Sequence, residues 1–319
     1  LEMLTRVFFN HRRKMLKKPF NQLFNGDQRI LEKLKMRGVE AYLLQTHDFP
    51  NKVKFSFSPN DGDGSLTLSC GTLINLSDIK AVFWRSFSGV SDEETRATFM
   101  TEQGIAAKDS MACLRTWFYL KNDTKWVNGW EAFQHHQEKP YQLQKVKNLG
   151  IKIPQTYIGN NLKDIKSAYD KLDKSIFKPV YGGAHTEILT EAHLELDRVE
   201  SALSKSPITV QEFISGTNIR TYVLGERVIS IELKSEMADF REDDSAELIV
   251  IDTPKNIEAH SKLITKALYL NWTAIDWRRN ENGEYYFLEA NPSPMFIGFE
   301  KQSGIPMSDY IVDYMLEHK

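Results

Sequence analysis

Near its carboxy end the chain reads TAIDWRR at 273–279, NENG at 280–283 and EYYFLEANPSP at 284–294. Two β-rich runs meeting across a connection that ends in Asn-Gly predict an antiparallel hairpin. Nothing else in the sequence restricts the fold so tightly. Side chains at i and i+2 of a strand share a face, so Glu289 and Asn291 point the same way. The turn brings TAIDWRR back beside them and puts Asp276 within reach. Two carboxylates and an amide oxygen are a hard, all-oxygen set, which suits Mg²⁺ better than zinc. Mg²⁺ keeps few protein ligands and completes its shell with phosphate oxygens and water, so a partial cage points to a phosphate-bearing substrate. Taken singly, each residue reads as a strand carboxylate facing water or as an Asn-Pro that ends a strand. As a trio beside apolar Ile275, Phe287 and Leu288 they read as a metal site.

Phosphate needs compensating charge, and several cations are placed to supply it. Lys178 lies inside SIFKPV, an otherwise apolar strand, where an unpaired ammonium is costly to bury. It snorkels to an edge or meets an anion. Gly182 and Gly183 follow at once, and two glycines let backbone N–H groups approach a phosphate. Lys139 opens a predicted helix with Pro140 in its first turn. By itself it is an ordinary surface lysine. VQEFISG at 210–216 is an apolar strand running into a glycine turn. Such a segment reads as core, or as an edge that offers its main chain to an adenine, with Phe213 and Ile214 as apolar walls. Arg220 and Arg241 are forked donors suited to a phosphate or acyl phosphate. Each also fits a surface ion pair worth about 1 kcal/mol or less.

Along the rest of the 319 residues, helices and strands mix without repeats or low-complexity tracts. The length exceeds a single typical core and predicts several lobes. A helix is expected at 28–37, with strands at AYLLQ, VKFSFS, SLTLS and AVFWRS and one or two helices over 92–120. A first unit is expected to end near 124. Helices at about 138–149 and 162–173, the strand SIFKPV pairing with EIL, and a helix at about 192–204 make a second unit, 125–208. ITVQEFI, IRTYVLG, RVISIEL, a helix at about 256–269, the acidic hairpin and a final helix make a third, 209–319. The class is α+β.

Bulk properties exclude little. The formal net charge of −2 gives no sign of a nucleic-acid or membrane partner. No apolar run reaches the roughly 20 residues that span a bilayer. Leu1-Glu2 ahead of Met3 reads as a cloning remnant, no secretory signal follows, and a cytoplasmic location is expected. Cys70 and Cys113 are expected to be buried thiols. His135-His136 is expected to be surface, because adjacent helix residues point apart.

In order along the chain, Lys139, Lys178 with its glycine pair, QEFI, IR, DFR, AID and LEANPSP resemble the motifs of ATP-grasp ligases over residues 125–319. The resemblance is to the branch holding ribosomal-protein glutamate ligases and microviridin-type (graspetide) peptide ligases. THDFP at 46–50 and LSDIKAVFWRSF at 76–87 are similar to the pre-ATP-grasp domain of the peptide ligases. NLGIKIPQTYIGNN at 148–161 is similar to both groups.

The resemblance implies two α+β lobes holding ATP, preceded by an α/β domain at 1–124. It implies that Lys139 and Lys178 contact ATP phosphates and that Gln211, Glu212, Phe213 and Ile214 form the adenine hinge. Asn218 falls where the family commonly has an acid on the ribose. Arg220 and Arg241 are implied at the phosphate and the activated carboxylate, and Asp276, Glu289 and Asn291 at Mg²⁺. The sequence departs from many relatives in AHTE after Gly183 and in PSPMF after Asn291. The implied activity joins Glu or Asp side chains of a ribosomal precursor peptide, bound through a leader, to Ser/Thr or Lys. The acidic run Glu236 to Asp244, with Glu242 and Asp243, is a candidate leader contact or simply a solvated loop. A homodimer is implied. The alternatives are a small-molecule or glutamate-adding ligase of the same fold, and a nucleotide-binding module without catalysis.

Overall fold

The computed structural model describes residues 17–84, 101–120, 123–181, 186–234 and 247–317, the side chains of 17–26 and 196–198 excepted. The chain divides into two compact units, one of Gly26–Trp130 with Ser308–Lys319, the other of Glu131–Met307 with Leu1–Asn25.

In the first unit, the part of helix α1 (Lys17–Met36) from Gly26 onward is followed by strands β1 (Lys54–Ser58), β2 (Asp63–Thr67) and β3 (Leu73–Asn75), an antiparallel sheet in the order β1-β2-β3. Strand β4 (Ala81–Phe83) pairs in parallel with β5 (Lys125–Val127), and helix α2 (Glu102–Tyr119) lies between them in sequence. Thr101 caps α2 by accepting from the Gly104 N–H at 3.2 Å. The expected start of this helix near residue 92 lies outside the described residues. Trp84, Trp117, Phe118, Trp126 and Trp130 make the core, with ring centroids as close as 4.3 Å. Aromatic side chains bury about 150–250 Å² each, enough for five of them to organise a small unit.

Two expectations fail in this unit. AYLLQ is not a strand: Tyr42 and Leu43 are exposed and the segment pairs with no strand among the described residues. Both cysteines are exposed rather than buried. Cys113 lies on an outer face of α2, and Cys70 sits in the turn before β3, bonded through its thiol to Thr72.

The second unit begins with helices α3 (Trp130–Gln137) and α4 (Lys139–Asn148). Strand β6 (Thr156–Gly159), helix α5 (Leu162–Lys171), strands β7 (Ser175–Pro179) and β8 (Glu187–Ile188), helix α6 (Leu196–Leu203) and strand β9 (Ile208–Glu212) follow. The sheet order is β6-β9-β7-β8, and the expected SIFKPV–EIL hairpin is present as Ile176 opposite Ile188. Apolar residues spaced by three and four along α5 (Ile165, Ala168, Leu172) pack with Val199 and Leu203 onto Phe177, Leu189 and Val210. Asn161 caps α5, accepting from Lys163 N–H at 3.0 Å.

A second sheet then forms from β10 (Thr217–Leu224), β11 (Arg227–Lys234), β12 (Glu247–Ile251), β13 (Trp272–Arg279) and β14 (Tyr285–Asn291), with helix α7 (Lys255–Ala267) before β13 and α8 (Ile297–Ser303) after β14. Its order is β12-β11-β10-β13-β14, antiparallel throughout. One face carries Ile219, Val223, Ile275, Trp277, Phe287 and Ala290, covered by Leu143 and Val146 of α4 and Ile257, Ile264 and Leu268 of α7.

The β13–β14 pairing holds an irregularity that strict alternation does not foresee. Asp276 faces Glu289 but Trp277 faces Phe287, so Leu288 is an extra residue in β14. The bulge turns Phe287 into the core and leaves Glu289 and Asn291 on the opposite, polar face. At the entry to β10, Gly216 has φ +134°, and a Cβ there would lie 2.0 Å from the Arg279 carbonyl oxygen. Only glycine lets the segment after β9 run this close to β13.

From Ser308 on, the last helix, α9 (Met307–Leu316), groups with the first unit. Lys33 pairs with Asp309 at 2.7 Å and Arg37 with Asp313 at 2.8 Å. Lys125 lies over the Tyr314 ring. Short-range periodicity shows the helix but not these partners in the chain's first third. Among the described residues no helix is long and apolar enough to cross a membrane.

Candidate active site

The polar face of the five-stranded sheet is built from cross-strand neighbours. Arg220 on β10 stands opposite Asp276 on β13, and Asp276 stands opposite Glu289 on β14. Arg220 donates to both carboxylate oxygens, Nε to Oδ1 at 2.7 Å and Nη2 to Oδ2 at 2.8 Å. The side chains are only 19% and 15% exposed, so this is a forked pair in a mostly dry setting. Burial alone lowers the Arg220 pKa; the charge and hydrogen bonds of Asp276 more than reverse that and raise it. At the far end of the row, Lys139 at the start of α4 donates to Glu289 Oε2. Burial pushes the Glu289 carboxyl up, but the charge and hydrogen bond of Lys139, then Lys178 and His136, bring it down to about 2. Asn291 Oδ1 accepts from the Ser293 N–H at 2.9 Å. Asp276, Glu289 and Asn291 thus share one face, and the charges of Lys139 and Lys178 both bear on Glu289.

Two residues that sequence reasoning passed over support this face. Gln142, 2% exposed on α4, accepts from Ala290 N–H at 2.9 Å and donates to its carbonyl at 3.1 Å. It grips β14 between Glu289 and Asn291. Its position three residues after Lys139 in KPYQLQK puts both on one side of the helix, the only trace it leaves in the sequence. His136 is the other, and here the surface reading of His135-His136 fails. His135 bonds through Nδ1 to the Glu131 carbonyl and packs between Tyr141 and Tyr269. The His136 ring is turned inward, and burial holds it below the usual histidine range against the pull of Glu289.

The four-stranded sheet carries the second group of candidates. Lys178 on β7 donates to Gln211 Oε1 on β9 at 3.0 Å, and Gln211 Nε2 donates to Thr156 Oγ1 on β6 at 2.8 Å. The Gln211 side chain therefore faces Lys178. Beyond it, Glu212 N–H goes to the Gln155 carbonyl at 2.8 Å and Phe213 N–H to the Lys174 carbonyl at 2.9 Å. The Ile214 carbonyl accepts from Arg278 Nε at 2.8 Å, and Arg278 Nη1 donates to Asn218 Oδ1 at 2.8 Å. The Phe213 ring has Lys174 at 4.3 Å and the Arg278 guanidinium at 5.5 Å. The expected apolar wall is thus an aromatic face flanked by cations. Arg278 ties the Ile214 carbonyl to Asn218, a link invisible in the sequence because it depends on the Asn218–Arg278 register. Gly182, Gly183, Arg241 and the acidic run with Glu242 and Asp243 lie outside the described residues.

The donor set fits a hard divalent cation. Two carboxylates and an amide oxygen share a face, and the shift at Glu289 keeps that carboxylate anionic across the neutral range. Among the described residues no three His, Cys, Asp or Glu side chains converge. The Asn291 amide stands on the same face as the two carboxylates.

A model of the RimK-like ATP-grasp domain matches residues 136–315, more than half of the chain. The chain belongs to the RimK-like ATP-grasp family. It is an ATP-grasp ligase, and ligases of this family use ATP and Mg²⁺. A probable alpha-L-glutamate ligase of Haemophilus influenzae (strain PittEE) is 23% identical over 218 residues, 64% of this chain and 72% of that protein. One from Shewanella denitrificans is 26% identical over 201 residues, 59% of this chain and 66% of that protein. Among solved structures, the ATP-grasp ligase PsnB complexed with minimal precursor is 25% identical, covering 91% of this chain and 93% of that one with a TM-score of 0.77. The macrocyclase MdnC bound with precursor peptide MdnA, from Microcystis aeruginosa MRC, is 22% identical, covering 92% and 96% with a TM-score of 0.77. This ATP-grasp chain therefore shares its fold with both over most of its length.

Proposed function

We propose that this chain is a peptide macrocyclase. It activates Glu or Asp side chains of a ribosomal precursor peptide with ATP and joins them to Ser/Thr hydroxyls or Lys amines. One observation carries the reading. The likeness to PsnB, solved with a minimal precursor, covers 91% of the chain and so reaches well outside residues 136–315. The sequence likeness to the glutamate ligase of H. influenzae spans 64% of the chain.

In this proposal a substrate carboxylate attacks the γ-phosphorus of ATP and expels ADP. A hydroxyl or amine then attacks the acyl phosphate carbon, loses its proton and releases phosphate. The net change in the peptide is loss of one water per link. Little covalent chemistry falls to the protein, and positioning with charge neutralisation carries the step. Lys139 and Lys178 hold the phosphates. The Glu212 and Ile214 main chain reads adenine, with Phe213 against the ring and Asn218 at the ribose. Since Glu212 N–H and the Ile214 carbonyl are committed elsewhere, the groups for adenine are the Glu212 carbonyl and the Ile214 N–H. Arg220, with Arg241, steadies the transferring phosphoryl group. Asp276, Glu289 and Asn291 hold Mg²⁺, which when bound offsets phosphate charge. Gly182 and Gly183 offer main-chain N–H groups to the phosphates, and the chain acts as a cytoplasmic homodimer on a leader-bearing peptide.

The test is incubation with ATP, Mg²⁺ and a short peptide encoded beside the gene that carries repeated Thr/Ser/Lys and Glu/Asp. The expected result is a mass loss of one water per link, dependent on ATP. The names of the sequence relatives favour a second reading, a glutamate-adding ligase. ATP turnover that needs only free amino acids would decide for it.

A further inference from the structure

We infer that Thr156 is a positioning residue for Lys178, acting through the orientation of the Gln211 amide. The inference rests on the reading of Lys178 as a phosphate ligand. Thr156 Oγ1 donates its single proton to the Pro154 carbonyl at 2.8 Å. A hydroxyl has one proton to give, so toward Gln211 the same oxygen can only accept. That requirement turns the Gln211 NH₂ toward Thr156, where it donates at 2.8 Å. The amide oxygen is thereby turned to the other side, where it accepts from Lys178 Nζ at 3.0 Å. Gln211 is 1% exposed, and an amide turned the wrong way in that setting would present two N–H donors to an ammonium.

The choice of an amide at 211 matters as well. A neutral oxygen fixes the position of the ammonium without cancelling its charge. A carboxylate there would pair with Lys178 and reduce what it offers an incoming anion. The relay spans three neighbouring strands, since Thr156 pairs with Gln211 across β6 and β9, and Gln211 with Ile176 across β9 and β7. It therefore reports how well the sheet holds the lysine in place.

The experiment measures ADP affinity in the presence of Mg²⁺ by calorimetry, without peptide, so that peptide chemistry has no part in the result. Lys178→Met is expected to weaken binding at least about tenfold, as loss of a charge-assisted contact does. Thr156→Val, close in size but without the hydroxyl, is expected to weaken it about fivefold, and Thr156→Ser to stay within about twofold. Gln211→Glu is expected to weaken it at least as much as Thr156→Val. On a Lys178→Met background, Thr156→Val is expected to cost nothing further, an interaction that a general loosening of the sheet would not produce. Equal cost on both backgrounds, or Thr156→Ser as weak as Thr156→Val, would overturn the inference. Wild-type ADP affinity in Lys178→Met would instead remove the phosphate role of Lys178, on which the inference depends. If Thr156→Val fails to fold, the serine and Gln211→Glu variants carry the test, and unchanged affinity in Gln211→Glu contradicts it.

Discussion

The two sheets of the Glu131–Met307 unit hold their charged side chains by different means. On the five-stranded sheet, Arg220 meets Asp276 and Lys139 meets Glu289, anion against cation. On the four-stranded sheet, Lys178 is fixed by the neutral oxygen of Gln211. A row of carboxylates taken out of water needs cations beside it, or it protonates. A lysine meant for phosphate gains from a partner that leaves its charge intact. On the first sheet each of these carboxylates thus has a cation beside it, and on the second the Gln211 contact holds the lysine without itself adding negative charge. The two groups are close enough for Lys178 to lower the Glu289 pKa.

The largest effect is expected where charge pairing on the first sheet is removed outright. Asp276→Asn removes the carboxylate charge that the mostly buried Arg220 guanidinium donates to. Breaking such a pair is expected to cost about 3 kcal/mol in denaturant unfolding and to abolish ATP-dependent ligation. A loss below about 1 kcal/mol would mean that the pair behaves as a solvated one. Next is Gln142→Leu, which strips both bonds from the Ala290 main chain at a buried position. We expect about 2 kcal/mol of destabilisation, with Mg²⁺–ADP binding weakened because Glu289 and Asn291 flank the loosened residue.

The smallest and most specific effect is in pH. The folded-state pKa of Glu289 is depressed to about 2, so its contribution is fully present above the unfolded carboxylate range and is lost as pH falls through that range toward 2. Lys139→Met removes the main cause of the depression. The variant is expected to be less stable than wild type at pH 7, and the gap to narrow between about pH 5 and 2. Because the two side chains remain 24% and 27% exposed, the neutral-pH gap is expected to be about 1–2 kcal/mol. A gap independent of pH would place the effect of Lys139 in packing, not charge.

What the sequence conveyed was whatever depends on spacing within one element or one turn. The 273–291 hairpin, the same-face placement of Glu289 and Asn291, and Lys139 at a helix start all belong to that class. The Leu288 bulge did not show, because Phe287 and Leu288 satisfy alternation equally well until the Trp277–Phe287 register is set. Gln142, Thr156 and Arg278 did not show either. Their meaning lies in partners 148, 55 and 60 residues away, and polar residues in KPYQLQK, IPQTYI and DWRR look like solvent-facing ones. The strand expected at AYLLQ but not formed and the exposed cysteines have the same origin, since β-propensity and thiol burial are settled by neighbours brought in from elsewhere.

The central claim is that the polar face of β13 and β14 receives the metal–nucleotide complex. The most direct measurement is anomalous diffraction from crystals grown with ADP and Mn²⁺ in place of Mg²⁺. The account predicts a manganese peak among the side chains of Asp276, Glu289 and Asn291 with the ADP phosphates beside it. A peak elsewhere, with those three side chains still paired only to Arg220, Lys139 and Ser293, would contradict it.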